Sequence, residues 1–203
     1  MPTAIEGLNL EAQSPRRAAA RGVVPRIEIP EELQPVRTTP KEKGEHPYYA
    51  KLRAEADDTL MKTGTGKLYL NVRMDPLYHV HWNNLADPIE FELTGSEGVI
   101  ISPSSGKGPK VEAEADIDPR EFLLDVTSGD SKKPLELTLR YFACNDEEGW
   151  CKPVTQSYVI HLQRDRGAGV VRNREWGGGR GRGGTETWRS SWWRIHSRRV
   201  VPV

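Results

Sequence analysis

Apolar and polar residues alternate with a period of two through most of residues 66–163, and this alternation predicts half-buried β-strands. The alternating runs are centred on Leu70, Val80, Phe91, Ala113, Leu139 and Ile160, and shorter apolar runs occupy residues 99–101 and 121–126. Clusters of Gly, Pro, Asp and Ser separate them, for example at residues 102–109. About eight short strands in roughly a hundred residues predict an all-β fold, namely an immunoglobulin-like antiparallel β-sandwich over residues 62–163, with a barrel as the alternative. These residues show no helical period, and this excludes a doubly wound α/β fold.

Residues 1–61 are predicted to form a disordered, Pro-rich linker. Seven prolines recur in this segment, too often for a helix or a central strand, and large apolar residues are few. A short helix is predicted at residues 47–61, where Tyr48, Leu52 and Ala56 share one face. No apolar segment typical of a secretory signal occurs among the first thirty residues, so an exported protein would need its signal from elsewhere.

Residues 164–203 are predicted to form a second disordered segment with a different composition. They carry ten Arg, no Lys and three acidic residues, a net charge of +7, whereas the preceding 163 residues carry −7 and the whole chain is neutral. Four of the six Trp and the run GGGRGRGG also lie here. An Arg/Gly-rich nucleic-acid segment is one interpretation. The other, which we favour, is a disordered tail without that function, for which a reading frame that has drifted from a selected sequence is one explanation.

Several kinds of site are not indicated by the sequence. No apolar run has the length of a membrane span, and no hydrolase triad or phosphate-binding glycine loop is evident. His79 and His81 would share one face of a strand and could hold a metal together, but no third ligand is identifiable. We therefore predict a pair of solvent-facing histidines, with no metal and no cofactor.

The two cysteines, Cys144 and Cys151, flank a polar loop between two predicted strands. Six intervening residues allow a disulfide across the loop. One interpretation is a static staple, which would add only about 2 kcal/mol because the loop is so small. The other is a reversible dithiol that a partner thiolate can reach. The neighbouring acidic residues Asp146, Glu147 and Glu148 disfavour a thiolate, so the partner would have to supply the activated thiol.

Two segments resemble the N-terminal domain of the thiol:disulfide interchange protein DsbD family. Residues 77–84, LYHVHWNN, are similar to the family pattern G-[YW]-H-x-Y-W-x-N through His79, Trp82 and Asn84, while His81 replaces the usual Tyr. Residues 137–162 resemble the family hairpin Y-x-x-C-x-D-x-x-x-C-x-P-x-x. The matching residues there are Tyr141, Cys144, Asp146, Cys151 and Pro153.

The resemblance implies a protein-disulfide reductase type of redox domain with an immunoglobulin-like fold. Cys151 would be the attacking thiol and Cys144 its partner. Electrons would come from a membrane-embedded or thioredoxin-like thiol donor and pass to periplasmic thiol proteins, which implies a periplasmic location. The chain departs from the family in having six loop residues where five are more usual. An aromatic cap loop over the site is also not identifiable, since residues 102–109 do not resemble it. The alternative function is a non-catalytic β-sandwich interaction module with a structural disulfide.

Overall fold

The computed structural model describes residues 20–30, 32–41, 47–128 and 133–166. The expected disorder of residues 1–19 and 167–203, and the nucleic-acid interpretation of the tail, lie outside these residues. The described part is all-β and predominantly antiparallel, with a single short α-helix and one 3₁₀ turn, as the alternation predicted. None of its helices has both the length and the apolar character needed to cross a membrane.

Eleven strands make up the described fold. They are β1 (Leu33–Pro40), β2 (Ala50–Asp57), β3 (Thr65–Met74), β4 (His81–Asn83), β5 (Glu90–Thr94), β6 (Val99–Ser102), β7 (Ser105–Lys107), β8 (Ala115–Asp116), β9 (Arg120–Ser128), β10 (Leu135–Asn145) and β11 (Trp150–Arg164). Helix α1 (Asp58–Thr63) follows β2, and the 3₁₀ turn Pro76–Tyr78 precedes β4.

The strands form one hydrogen-bonded path in the order β6-β9-β3-β2-β1-β11-β10-β4-β8, with β5 attached beside β10 and β7 beside β5. The path folds into a sandwich-like arrangement around one core. Tyr141 of β10 and Tyr158 of β11 both reach β2: the Ala50 N–H donates to the Tyr141 hydroxyl at 3.1 Å, and the Tyr158 hydroxyl donates to the Ala50 carbonyl at 2.6 Å. Burial raises the pKa of both phenols above its ordinary value. The rings of Phe91 and Phe122 join β5 to β9, with centroids 4.5 Å apart.

The linker prediction is wrong for residues 33–40 and 50–57, which form β1 and β2 in the middle of the sheet order. The predicted helix at 47–61 is also wrong, because β2 occupies most of it and α1 begins only at Asp58. Ala50, Ala54 and Ala56 are buried with period two, so these small side chains serve a strand that packs closely on the core.

Helix α1 is short because both of its ends are fixed by specific caps. The Asp57 carboxylate accepts the Leu60 N–H at 2.6 Å, which caps the first turn. Gly64, with φ of 79°, ends the helix in the left-handed conformation that glycine adopts without strain. The helix therefore acts as a corner between β2 and β3, with Leu60 inserted into the core.

Three strand predictions need correction. Residues 111–115 form no strand except for Ala115 at the start of β8, because the backbone bends at residues 112–114 and the Asn84 side chain takes up the Ala113 carbonyl. The run centred on Val80 is a strand only over β4, since the 3₁₀ turn takes its first residues. Residues 105–107, expected in a turn, pair with β5 as β7.

The segment 20–27, called here the N-terminal strap, lies against β8, β9 and the loop between them. Asp118 holds it: the N–H groups of Gly22, Val23 and Val24 donate to its carboxylate at 2.8, 2.6 and 3.0 Å. Burial disfavours the charged form of Asp118, but the three N–H donors and Arg120 outweigh burial and lower the pKa of this carboxyl group. The strap thus belongs to the folded unit although its composition predicted a linker.

Asp118→Ala is expected to release the strap and to speed amide exchange at Gly22, Val23 and Val24 by at least about tenfold, because three charge-assisted hydrogen bonds are lost. Amide hydrogen exchange checks this directly. Asp125→Ala is the matched control. Asp125 lies on β9 and forms a surface ion pair with Lys67, so its loss should leave exchange at these three amides unchanged. Exchange at the ordinary rate in Asp118→Ala would contradict the anchoring role.

The same contact should weaken in acid. Because the pKa of Asp118 is lower in the folded chain, the unfolded chain takes up the proton first as pH falls. The stabilisation is therefore complete above the unfolded pKa of about 3.9 and is lost as pH falls through the lower, folded value. Strap exchange, corrected for its intrinsic pH dependence, should rise only in that acidic range, and in Asp118→Ala the rise should vanish.

Candidate functional site

The two cysteines lie directly opposite each other at the end of the long β10–β11 hairpin. The ladder pairs Cys144 with Cys151, and a disulfide joins them, with their Cα atoms 4.1 Å apart. Eleven residue pairs hold the register of this hairpin from Leu135 onward. The disulfide is therefore the last rung but one of a ladder that the backbone already fixes.

The loop beyond the disulfide is held by Asn145. Its side-chain oxygen accepts the Glu148 N–H at 2.9 Å, and its side-chain nitrogen donates to the Tyr78 carbonyl at 3.1 Å. Gly149, with φ of 69°, supplies the left-handed residue of the turn. The loop is thus tied both to itself and to the 3₁₀ turn before β4.

The two cysteine residues differ sharply in exposure. Cys144 is 1% exposed, whereas Cys151 is exposed. Because side chains alternate along a strand, both cysteines lie on the outer face of the sheet, opposite the core residues Tyr141 and Val154. A solvent-borne thiol can therefore approach the Cys151 sulfur from outside the fold, while Cys144 is covered by its neighbours.

His81 is the neighbour of Cys144 on the other side. The β4–β10 ladder pairs the two residues, so their side chains share the outer face. The His81 Nδ1 lies 3.0 Å from the Trp82 carbonyl oxygen, and its Nε2 lies 3.1 Å from the Asp146 carboxylate. The outer face thus carries a row of His81, Cys144 and Cys151, with Asp146 above it on the loop.

Aromatic residues gather on the opposite face of the same hairpin end. The Tyr49 ring contacts Tyr78 and Trp150, with centroids 5.2 and 5.4 Å apart. The Lys152 ammonium lies over the rings of Trp150 and Tyr49, at 4.2 and 5.0 Å. By the alternation of β11, Trp150 and Lys152 point away from the side of Cys151. This cluster stiffens the hairpin end from beneath and does not cover the outer sulfur.

Trp82 and Asn84 of the LYHVHWNN segment belong to a buried polar network. The Arg120 guanidinium donates to both oxygens of Asp116, at 2.9 and 2.7 Å, and to the Asn84 side-chain oxygen at 3.1 Å. It also lies 5.1 Å from the Trp82 ring centroid. The Trp82 indole N–H donates to the Asp118 carbonyl at 2.8 Å. These residues fasten β4 to the start of β9, so their role is to position the site.

A cleft of about 550 Å³ opens beside the same end of β10. Asn83, Leu85, Lys110 and Phe142 are among its lining residues. Phe142 and Cys144 are two apart on β10, so they share the outer face roughly 6.6–6.8 Å apart. The cleft borders the face that carries the disulfide.

The predicted histidine pair is not formed as expected. His79 ends the 3₁₀ turn in the left-handed conformation, with φ of 51°, and is exposed, so only His81 lies on the strand. Within the described ranges, no group of three or more His, Cys, Asp or Glu residues could hold a metal ion. His81 instead has a protein partner, Asp146, which lies 65 residues further along the chain.

Comparisons with protein-family models, with curated proteins and with solved structures find no match to this chain. The assignment of function therefore depends on the geometry of the hairpin end.

The sequence indicated Cys144 and Cys151 but not the contacts that surround them. The His81–Asp146 contact and the Lys152 cluster both join residues from different strands or loops. The sequence held a signal for each residue: Asp146 matches the family hairpin pattern, and His81 occupies a position where the family has Tyr. Neither signal gave the pairing.

Proposed function

We propose that the protein is a thiol–disulfide exchange domain that carries electrons through the Cys144–Cys151 pair. The observation that supports this most directly is the unequal exposure of the two bonded cysteines. Exchange requires a thiolate to attack one sulfur of a disulfide while the other sulfur leaves. An exposed Cys151 and a covered Cys144 define which sulfur takes each role.

The structural position of the disulfide favours exchange over stapling. A staple stabilises a fold mainly by shortening a loop in the unfolded chain, and the loop between these cysteines is small. The β10–β11 register is already fixed by backbone pairs from Leu135 to Asn145. A disulfide there adds little that the ladder lacks, so redox chemistry gives it a clearer use.

In the oxidised domain, a donor thiolate attacks the Cys151 sulfur. The disulfide breaks, its electron pair passes to Cys144, and a mixed disulfide joins donor and Cys151. A second thiolate of the donor then attacks the donor sulfur and expels Cys151. The donor dithiol is oxidised to a disulfide, and two electrons and two protons reach the pair. The reduced pair passes them on by the reverse steps, with Cys151 attacking an acceptor disulfide.

The resemblance of residues 77–84 and 137–162 to the DsbD family suggests the class of partner. A thioredoxin-like or membrane-embedded dithiol protein would be the donor, and periplasmic thiol proteins would be the acceptors. The domain would then work in the periplasm or another extracytoplasmic compartment, where disulfides persist.

The test is a redox titration of the purified chain combined with exchange against a thioredoxin-like dithiol donor. We expect a potential above about −300 mV and rapid reduction by the donor. A potential below that value with no exchange would mean that the disulfide is only a structural staple. It would favour the alternative, a non-catalytic interaction module. Cys144→Ala/Cys151→Ala is the control, because it should transfer no electrons.

A further inference from the structure

The reduced state of this site creates an electrostatic problem at Cys144. When a thiolate attacks Cys151, Cys144 leaves as an anion in a position that is 1% exposed. Burial disfavours a thiolate, and the nearby Asp146 carboxylate disfavours it further. A cation on the same face of the sheet would offset both effects.

His81 is placed to supply that cation. It lies directly across the ladder from Cys144, and opposed side chains of an antiparallel pair have Cβ atoms about 4.5–5.5 Å apart. Its side chain is 11% exposed, so water screens it little.

The hydrogen-bond partners of His81 match those of an imidazolium. The Trp82 carbonyl oxygen can only accept, so Nδ1 must donate to it. The Asp146 carboxylate, when ionised, also only accepts, so Nε2 must donate as well. Both contacts are made together only by the imidazolium, which carries an N–H on each nitrogen.

We propose that the His81 imidazolium stabilises the Cys144 thiolate and thereby makes the disulfide easier to reduce. The inference rests on the proposed function, since it assigns a role within exchange at Cys151. A better-stabilised leaving thiolate departs faster, and a more stable reduced form raises the reduction potential. Asp146 accepts from Nε2 at 3.1 Å and so fixes the orientation of the ring, which makes it a positioning residue.

The experiment measures two quantities on the full chain: the equilibrium with glutathione redox buffers and the rate of reduction by dithiothreitol. His81→Gln keeps a polar side chain but removes the charge. We expect the equilibrium constant for reduction to fall about tenfold, which corresponds to about 30 mV for a two-electron couple. The rate constant should fall in the same direction. An unchanged potential together with an unchanged rate would overturn the proposal.

Two further variants separate charge from packing. His81→Lys and His81→Glu have long side chains of opposite charge, and both test the proposal even if the Gln variant folds poorly. We expect the Lys variant to keep a potential close to that of the original chain and the Glu variant to fall below the Gln variant. Equal potentials in the Lys and Glu variants would show that His81 acts only through packing. His161→Gln, at the far end of β11, is the matched control and should change nothing.

Failure of this inference can be told apart from failure of the proposed function. Glutathione and dithiothreitol react with any accessible disulfide, so the effect of His81 is measurable whether or not a protein donor exists. If the original chain exchanges with a thioredoxin-like donor but the His81 variants match it, only the inference fails. If the variants shift the potential but no protein donor reacts, the inference holds and the proposed function fails.

Discussion

Arg120→Met is expected to lower the free energy of unfolding by about 3–5 kcal/mol, since it leaves one half of a buried ion pair behind. The side chains of Arg120 and Asp116 are 3% and 0% exposed. Without the guanidinium, the Asp116 carboxylate keeps only the Asn84 amide and the Asp118 N–H as donors. Asn84 and the Asp118 carbonyl each lose a donor as well. Methionine fills much of the volume, so the loss measures charge and hydrogen bonding more than a cavity.

Denaturant unfolding of the oxidised chain measures this loss. Arg140→Met is the matched control, because Arg140 pairs with Glu92 on the surface, with side chains 51% and 49% exposed. Its cost should be below about 1 kcal/mol. If Arg120→Met lowered the free energy of unfolding by no more than Arg140→Met does, the network would not be a structural anchor.

The double variant Arg120→Met/Asp116→Leu refines the prediction. Replacing both charges by apolar side chains removes the uncompensated anion, so it should recover a large part of the lost stability. A double variant less stable than Arg120→Met would instead mean that the loop before β9 needs the Asp116 carboxylate itself, which also accepts the Asp118 N–H.

The second large effect concerns the reactivity of the single thiols. In Cys144→Ala the remaining Cys151 should react with Ellman's reagent roughly a hundredfold faster than Cys144 does in Cys151→Ala, because one sulfur is exposed and the other is covered. Cys144→Ala should also form a stable mixed disulfide with a single-cysteine variant of the donor whose thiol carries thionitrobenzoate, because Cys151 displaces the thionitrobenzoate and neither protein keeps a second thiol to break the new bond.

Both variants should fold, because the β10–β11 ladder holds the hairpin without the bond. The control is the same reaction in guanidinium chloride, where the two rates should converge. Similar rates in the folded variants would place the sulfurs in equivalent environments and remove the basis for distinct roles.

The fold was largely predictable where alternating residues are large. The runs in β3, β5 and β10 carry Leu, Val and Phe inward and charged residues outward, so the pattern is unambiguous. β2 was not predictable, because its sequence AKLRAEAD is rich in good helix formers. Tyr48, Leu52 and Ala56 are spaced by four, and residues four apart share a face in both a helix and a strand. Pairing with β1 and β3 decides the outcome, and pairing is not a local property.

The candidate site was predictable only in its covalent part. Two cysteines on either side of a hairpin loop can be recognised in a sequence. The contact of His81 with Asp146 cannot, because it depends on β4 pairing with β10. The Arg120 network has the same character, since it joins a loop after β4 to the start of β9. Long-range pairing of this kind leaves no periodic signal.

Strand β1 passes from one partner to another within eight residues, and this has a consequence for synthesis. Its first half pairs with β2, and from Val36 onward it pairs with β11, which lies roughly 120 residues further along the chain. As the chain emerges from the ribosome, β1, β2 and β3 are available early, but the second edge of β1 has no partner until β11 arrives. Pro35 faces β11, since its carbonyl accepts the Asp165 N–H at 2.8 Å, and it has no N–H of its own, so that waiting edge offers one donor fewer to a neighbouring chain. Pro35, one of the prolines that made this region resemble a linker, therefore helps to protect a strand that must wait for the end of its own domain.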